Sequence, residues 1–336
     1  MSFTATLAIC GVGALAFKYC GQEAVIDEDF PRGKENYPGM IFKQEMSIIA
    51  HRFHEVTRNF WREALRGDVY LFPLKGIVEM LSNFSYVWSW LKPFIVYLTV
   101  YTIILLIYFA TVLPVYLAIL GVLGPLGLVL AYLHFLLHAN MLSMMIMRMS
   151  QLNVPLFFKT LQNKKKDAFI NRALHSSQTA KRFYIPMNTG YYWLNYMPWR
   201  IVVYSITSGV VITLVLLSFV PILGPAIFSA AISPVISRIY FSKYLRLKKL
   251  DNRERQSRFY AKFGGYSAFG FVAGQLETLP IVSGLIYSSN MVGVGLLAEK
   301  ELDELETVVQ RPVELVGSVE PAEPVIVEED TVEPVL

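Results

Sequence analysis

No Lys, Arg, Asp or Glu occurs between Lys92 and Arg148: the 55 residues Pro93–Met147 are uncharged and dominated by Leu, Ile, Val, Phe and Tyr. A helix crossing a bilayer needs about 20 apolar residues, so this run is long enough for two spans and too apolar for a soluble core. Charged residues make up 17% of the 336-residue chain, against about 25% in an average soluble domain, and they lie outside the apolar blocks. The expectation is an all-α integral membrane protein of helical hairpins, with about four to six membrane segments, some broken or re-entrant, and amphipathic helices on the cytoplasmic side. The chain divides into an N-terminal apolar segment and linker (1–40), amphipathic or interface helices (41–92), a membrane hairpin domain (93–298) and an acidic tail (299–336).

Helix breakers subdivide the apolar blocks. In the first block Gly121, Gly124, Pro125 and Gly127 mark a turn between two helices, Phe94–Leu120 and Leu126–Met147, with a kink at Pro114. In the second, Ile201–Ser237, the break is Pro221, Gly224 and Pro225, and the return leg Ala226–Ser237 is short and interrupted by Pro234. The third, Phe263–Ala298, holds one charge, Glu277, followed by Pro280.

The segments between the blocks set the orientation. Arg148–Arg200 carries nine basic residues and one acid, and Arg238–Lys262 carries nine and two. The positive-inside rule puts both on the cytoplasmic face, so the second block must enter and return. Lys18–Lys92, with ten bases and ten acids, votes weakly. Hairpins with all sizeable polar parts on one face suit the monolayer of a lipid droplet. The charge-free turns also suit a thin luminal turn across a bilayer. Unpaired backbone in such a turn costs on the order of several kcal/mol per group, so the turn must find partners.

Trp88 and Trp90 with Tyr86, and Trp193 and Trp199 with Tyr191, Tyr192 and Tyr196, form two interfacial belts; for Trp61, packing in a core is the better reading. Met46, Ile49, Phe53, Val56, Phe60 and Ala64 recur at helical spacing, with Arg52, Arg58, Arg62 and Arg66 off the stripe. This is a helix in the membrane interface or one packed on the domain. Lys164, Lys165 and Lys166, and Lys248 and Lys249 within the Lys243–Arg258 cluster, either contact anionic lipid headgroups or serve only to set topology. Nucleic acid fits poorly, because the clusters sit at membrane-proximal segments. The tail, with twelve acids, two bases and Val-Glu-Pro at 319–321 and 332–334, reads as disordered, solvated or docking a protein partner. Met1–Phe17 is apolar without a basic leader and reads as a short helix on or in the membrane. Cys10 and Cys20 have neither metal nor disulfide-framework spacing and are free thiols or palmitoylation sites.

Two features carry possible chemistry. His134 and His138, spaced i, i+4 near Asn140, share one helix face, as half a metal site, as a base for acyl transfer, or as polar packing between helices. Glu277 is an ionisable group inside a membrane block, and so a candidate proton or ion transport site with Asn290, or the partner of a base such as Lys262; the alternative is an interface carboxylate capping or bracing the helix broken at Pro280. No nucleotide-binding glycine loop, nucleophile elbow or metal constellation is found, and no cofactor, metal or catalytic activity is expected.

The run Phe269-Gly-Phe-Val-Ala-Gly-Gln-Leu-Glu277-Thr-Leu-Pro280, then Ser289-Asn290-Met-Val-Gly293 and Ala298-Glu299, resembles the C-terminal signature of the fungal Lds/Rrt outer-spore-wall proteins. Val220-Pro221-Ile-Leu-Gly224-Pro225 is similar to the break, and Tyr240–Lys248 with Arg253–Phe259 to the basic loop, of a broader group that includes CysZ-type sulfate permeases and etoposide-induced endoplasmic-reticulum proteins. The likeness covers about Tyr70 to Leu305, departing at Val294–Ala298, where an Ala-Leu-Trp-Ala type run is expected. It implies a membrane protein of lipid droplets and the endoplasmic or prospore membrane, tied to assembly of the dityrosine-containing outer spore wall, and supplies no molecular activity. The expected function is non-enzymatic support of spore-wall or lipid-body biogenesis. The alternatives are a CysZ-like anion or small-solute permease, and a lipid enzyme using His134 and His138.

Overall fold

The computed structural model describes residues 22–27, 38–66, 68–175, 180–220 and 223–310. Met1–Phe17, Cys10, Cys20, Pro221 and the tail beyond Gln310 lie outside the described residues. The chain divides into two compact units, Met1–Glu299 and Lys300–Leu336. Described residues of the second unit are the helical 300–310. The protein is an all-α membrane protein; three helices are long and apolar enough to cross a membrane, or four if one bent pair counts as a span.

Helices α1 (Pro38–Arg66) and α2 (Phe72–Ser82) precede the first hairpin. That hairpin is α3 (Val87–Thr111), α4 (Leu113–Leu120) and α5 (Pro125–Ser150). The helix breaks at Val112 because Pro114 has no N–H to continue the ladder and its ring displaces a carbonyl in the turn before it. At the tip, Gly121–Leu123 form a single 3-10 turn. Gly124 then takes φ 68, a left-handed conformation that a side chain would oppose, and Pro125 opens α5. The two legs run antiparallel: Tyr97 bonds Asn140 at 2.8 Å, and further along, Tyr116 bonds His134 at 2.8 Å.

The second hairpin is α8 (Met197–Ser218), entered through a π-helical turn at Tyr192–Tyr196, then α9 (Leu223–Ala231) and α10 (Ser233–Leu247), bent by 52° at Ile232. The return leg does not stop near Ser237, as its sequence implies, but runs on to Leu247. Arg238, Lys243 and Arg246 therefore lie on a helix, and Tyr240, Phe241, Tyr244 and Leu245 bury its inner face. The third pair is α12 (Phe263–Leu276) and α13 (Ser283–Gln310). With 14 residues, α12 reaches about 21 Å, short of the ~30 Å hydrocarbon layer. It packs antiparallel on α10: the Ser237 hydroxyl donates to the Tyr266 carbonyl, and Gly270 lies so close to the Ser233 carbonyl that a Cβ would overlap it.

The basic segments, read as loops, are folded. Arg148–Arg200 contains α6 (Val154–Asn163), α7 (Asp167–His175) and strand β2 (Ala180–Tyr184), which pairs in parallel with β1 (Gln22–Ile26) from Gln22↔Ala180 to Ile26↔Tyr184. Nothing in the all-α expectation anticipated this small sheet. The second basic segment contains α11 (Asn252–Ala261), started by a capping box in which Asp251 accepts from the Glu254 N–H at 2.7 Å. The core lies around α13 between Ile286 and Ala298, where Gly293 meets the Phe72 carbonyl of α2. Trp61 is 68% exposed, which corrects its assignment to a core; Trp88 and Trp193 are exposed too, and Trp90 and Trp199 half-buried.

Candidate functional site

The link between α12 and α13 draws four elements together at one carboxylate. Glu277 ends α12 and is 2% exposed; Arg148, in the last turn of α5, is 7% exposed. Arg148 Nε donates to Glu277 Oε2 at 2.8 Å, and its Nη2 donates to the same oxygen. Oε1 accepts from the Tyr240 hydroxyl of α10 and from Asn290 Nδ2 of α13. Taking two charges out of water costs several kcal/mol per ion, which attraction offsets only when remaining hydrogen-bond capacity is filled. Two donors on each carboxylate oxygen fill it.

A second tier holds the backbone of the link. Asn140 Nδ2 donates to the Glu277 carbonyl at 2.9 Å, and its Oδ1 accepts from Tyr97 at 2.8 Å and Ser283 at 2.9 Å. The Tyr97 oxygen in turn accepts the Ile281 N–H at 3.2 Å. Ile281 has φ 69, left-handed and β-branched, a conformation costing about 1–3 kcal/mol that persists only where its surroundings enforce it. Beside the pair, a small cleft lined by Asn140, Arg148, Ser229, Gly274, Glu277 and Thr278 has room for about one water molecule.

Glu277 and Asn290 are thus brought together, whereas the base paired with Glu277 is Arg148, not Lys262. The missed residues are Arg148, Tyr240 and Tyr97. Arg148 closes the uncharged run, and the rule that an intramembrane acid seeks a base on a facing helix was the signal that pointed to it. His134 and His138 instead face aromatic rings: His134 Nε2 bonds Tyr116, and the His138 ring stands edge-on to Tyr108 and Phe219. Among the described residues no group of three or more His, Cys, Asp or Glu is placed to hold a metal ion.

The other singled-out residues are dispersed. Gly124 and Pro125 form the first hairpin tip; Gly224 and Pro225 begin α9, packed on the Ser218 carbonyl; Pro280 lies in the α12–α13 link. Lys164 pairs with Glu79 at 3.6 Å, and Lys248 lies 4.5 Å over the Tyr244 ring. Lys165 (φ 59) and Lys249 (φ 57) take the left-handed turn positions just past α6 and α10, and the Lys166 carbonyl starts α7 by accepting from Phe169 and Ile170.

No family model and no solved structure matches the chain. Three curated proteins of Saccharomyces cerevisiae do. Outer spore wall protein LDS1 is 35% identical over 295 residues, 87% of this chain and 89% of the relative. Outer spore wall protein RRT8 is 25% identical over 272 residues (75% and 78%), and outer spore wall protein LDS2 is 26% identical over 271 residues (74% and 73%). The first match extends well beyond the apolar blocks, which rules out a likeness of composition alone. The chain belongs to the family of outer spore wall proteins that includes LDS1, RRT8 and LDS2.

Proposed function

We propose that this is a non-enzymatic, multi-pass membrane protein of lipid droplets and the endoplasmic reticulum or prospore membrane that supports outer spore wall assembly, with its basic segments on the cytoplasmic face and in contact with anionic lipid headgroups. The spore-wall part of this reading rests on the names of its relatives. The lipid-droplet part is carried by one observation, the tip of the α3–α5 hairpin. Val122 is 87% exposed there, with exposed Leu123 and Leu126 beside it and no charge nearby. Two backbone N–H groups of the tip are paired within it, Gly124 N–H donating to Gly121 O at 2.9 Å and Leu128 N–H to Gly124 O at 3.2 Å. A charge-free, apolar tip that pairs backbone groups within itself suits hydrocarbon, as in the oil beneath a phospholipid monolayer. Imaging of a tagged full chain with a neutral-lipid dye, before and after oleate feeding, tests this. Rings around dye-stained droplets that grow with oleate support it; a signal that stays away from droplets under both conditions rejects the droplet address.

The second reading, a small-solute or anion permease, is favoured by the broken α12–α13 link and the cleft beside Arg148 and Glu277. Against it, both carboxylate oxygens are already engaged by protein donors. Sulfate flux into liposomes containing the purified chain, lost in Glu277→Gln, is the result that favours the permease.

A further inference from the structure

We propose that α1 is an in-plane lipid-binding helix whose outward apolar stripe sits at the headgroup–acyl boundary of an anionic phospholipid surface. Over Phe42–Phe53 the helix is inside-out compared with one on a soluble protein. At 100° per residue, Phe42, Met46, Ile49 and Phe53 fall within a sector of about 60°, with Trp61 and Leu65 about 60° and 100° beyond its edge. All six are exposed, Phe53 by 72%. The half-buried side mixes Ile48, Val56, Phe60 and Ala64 with Glu45, Arg52, Glu55, Asn59 and Glu63. It is also where α1 is fastened: the Arg52 guanidinium stacks 4.9 Å over the Tyr260 ring, and the Phe60 ring and carbonyl meet Phe263 and Gly264 of α12. A soluble helix turns its apolar stripe to the core and its charges to water; α1 presents the stripe outward, at a cost that water does not offset.

Two observations identify the occupant as lipid. The stripe is continuous with the membrane belt, because the Phe42 ring stands edge-on to Trp199, 5.4 Å away, at the start of span α8. Exposed Lys43 lies beside the stripe, and exposed Arg58 and Arg62 lie beside Trp61 and Leu65, cations placed to draw the helix to anionic headgroups. The inference holds for a bilayer leaflet or a droplet monolayer alike, so it stands or falls separately from the droplet address.

The test uses the full chain with Cys10→Ser and Cys20→Ser, labelled with a polarity-sensitive fluorophore at Phe53→Cys or, on the polar flank, His51→Cys. It is reconstituted into phosphatidylcholine vesicles with phosphatidylserine. Spin-labelled lipid is expected to quench the label at 53 at least about twofold more than the label at 51, with aqueous iodide showing the reverse order. Spin-labelled phosphatidylserine is expected to quench at 53 more than spin-labelled phosphatidylcholine at equal mole fraction, and Lys43→Gln, Arg58→Gln and Arg62→Gln together to abolish that preference. Iodide quenching at 53 equal to that at 51 overturns the proposal. So does protection of 53 from both quenchers, which means that protein covers the stripe. Equal quenching by the two lipids in the unmodified helix overturns the anionic selectivity.

Discussion

Replacing Arg148 with Met removes the cation paired with a 2%-exposed carboxylate while keeping most of the side-chain volume. Oε2 of Glu277 loses two charge-assisted hydrogen bonds, each worth about 1.5–3 kcal/mol. Methionine packing recovers part of this, leaving a net loss of about 3–5 kcal/mol, the usual cost of stranding one member of a buried pair. For a unit spanning Met1–Glu299 that lowers the Tm by roughly 5–8 °C. Glu277→Met alone is expected to cost a similar amount, since it strands the guanidinium. The double variant removes both charges together and is expected to recover at least half of the summed loss. The assay is thermal unfolding of the four purified proteins in one detergent, followed by intrinsic fluorescence. A double variant whose loss equals the sum of the single losses within about 0.5 kcal/mol refutes the coupling, and with it the view that this pair joins α5 to the α12–α13 link.

Gly270→Val places a branched side chain on the Ser233 carbonyl and must push α12 off α10; a loss of about 1–3 kcal/mol is expected in the same melt, and an unchanged Tm contradicts the close approach. Tyr97→Phe leaves Asn140 Oδ1 with one donor and the Ile281 N–H without its acceptor, so about 1–2 kcal/mol is lost, and proteolysis at the 277–282 link is expected to accelerate. His134→Ala with His138→Ala is expected to leave cellular lipid profiles unchanged while lowering the Tm; an altered profile revives the lipid-enzyme reading.

The charge-free run and its Gly/Pro punctuation foretold the hairpins because helix breaking is local chemistry: Gly124 needs its left-handed φ and Pro114 its missing donor whatever the rest of the chain does. The α12–α13 link was legible in the same way from Pro280. What sequence could not supply was partnership across distance. Glu277 stood out as an acid in an apolar block, but its donors come from positions 148, 240 and 290, and only the packing of α10 on α12 selects Tyr240 from the tyrosines of that region. The basic segments misled for a related reason. Charge density marks orientation, yet α10 also buries five apolar and aromatic side chains beyond Ser237, enough to prolong a helix through its own cations. The parallel pairing of β1 with β2 joins segments more than 150 residues apart and leaves no periodic signature in strands of five residues.

The most direct test of the central claim, an apolar hairpin tip in hydrocarbon with its polar ends on one face, is the reactivity of a single cysteine at the tip. Val122→Cys in a chain lacking Cys10 and Cys20 is exposed to a membrane-impermeant maleimide, first with membranes intact and then after permeabilisation that opens the lumen, with Lys164→Cys as the polar-face reference. The expected result is labelling of position 164 in intact preparations and protection of position 122 in both conditions, reversed only by detergent. Labelling of position 122 as soon as the lumen is opened means that the tip meets water on the far side, and contradicts the account.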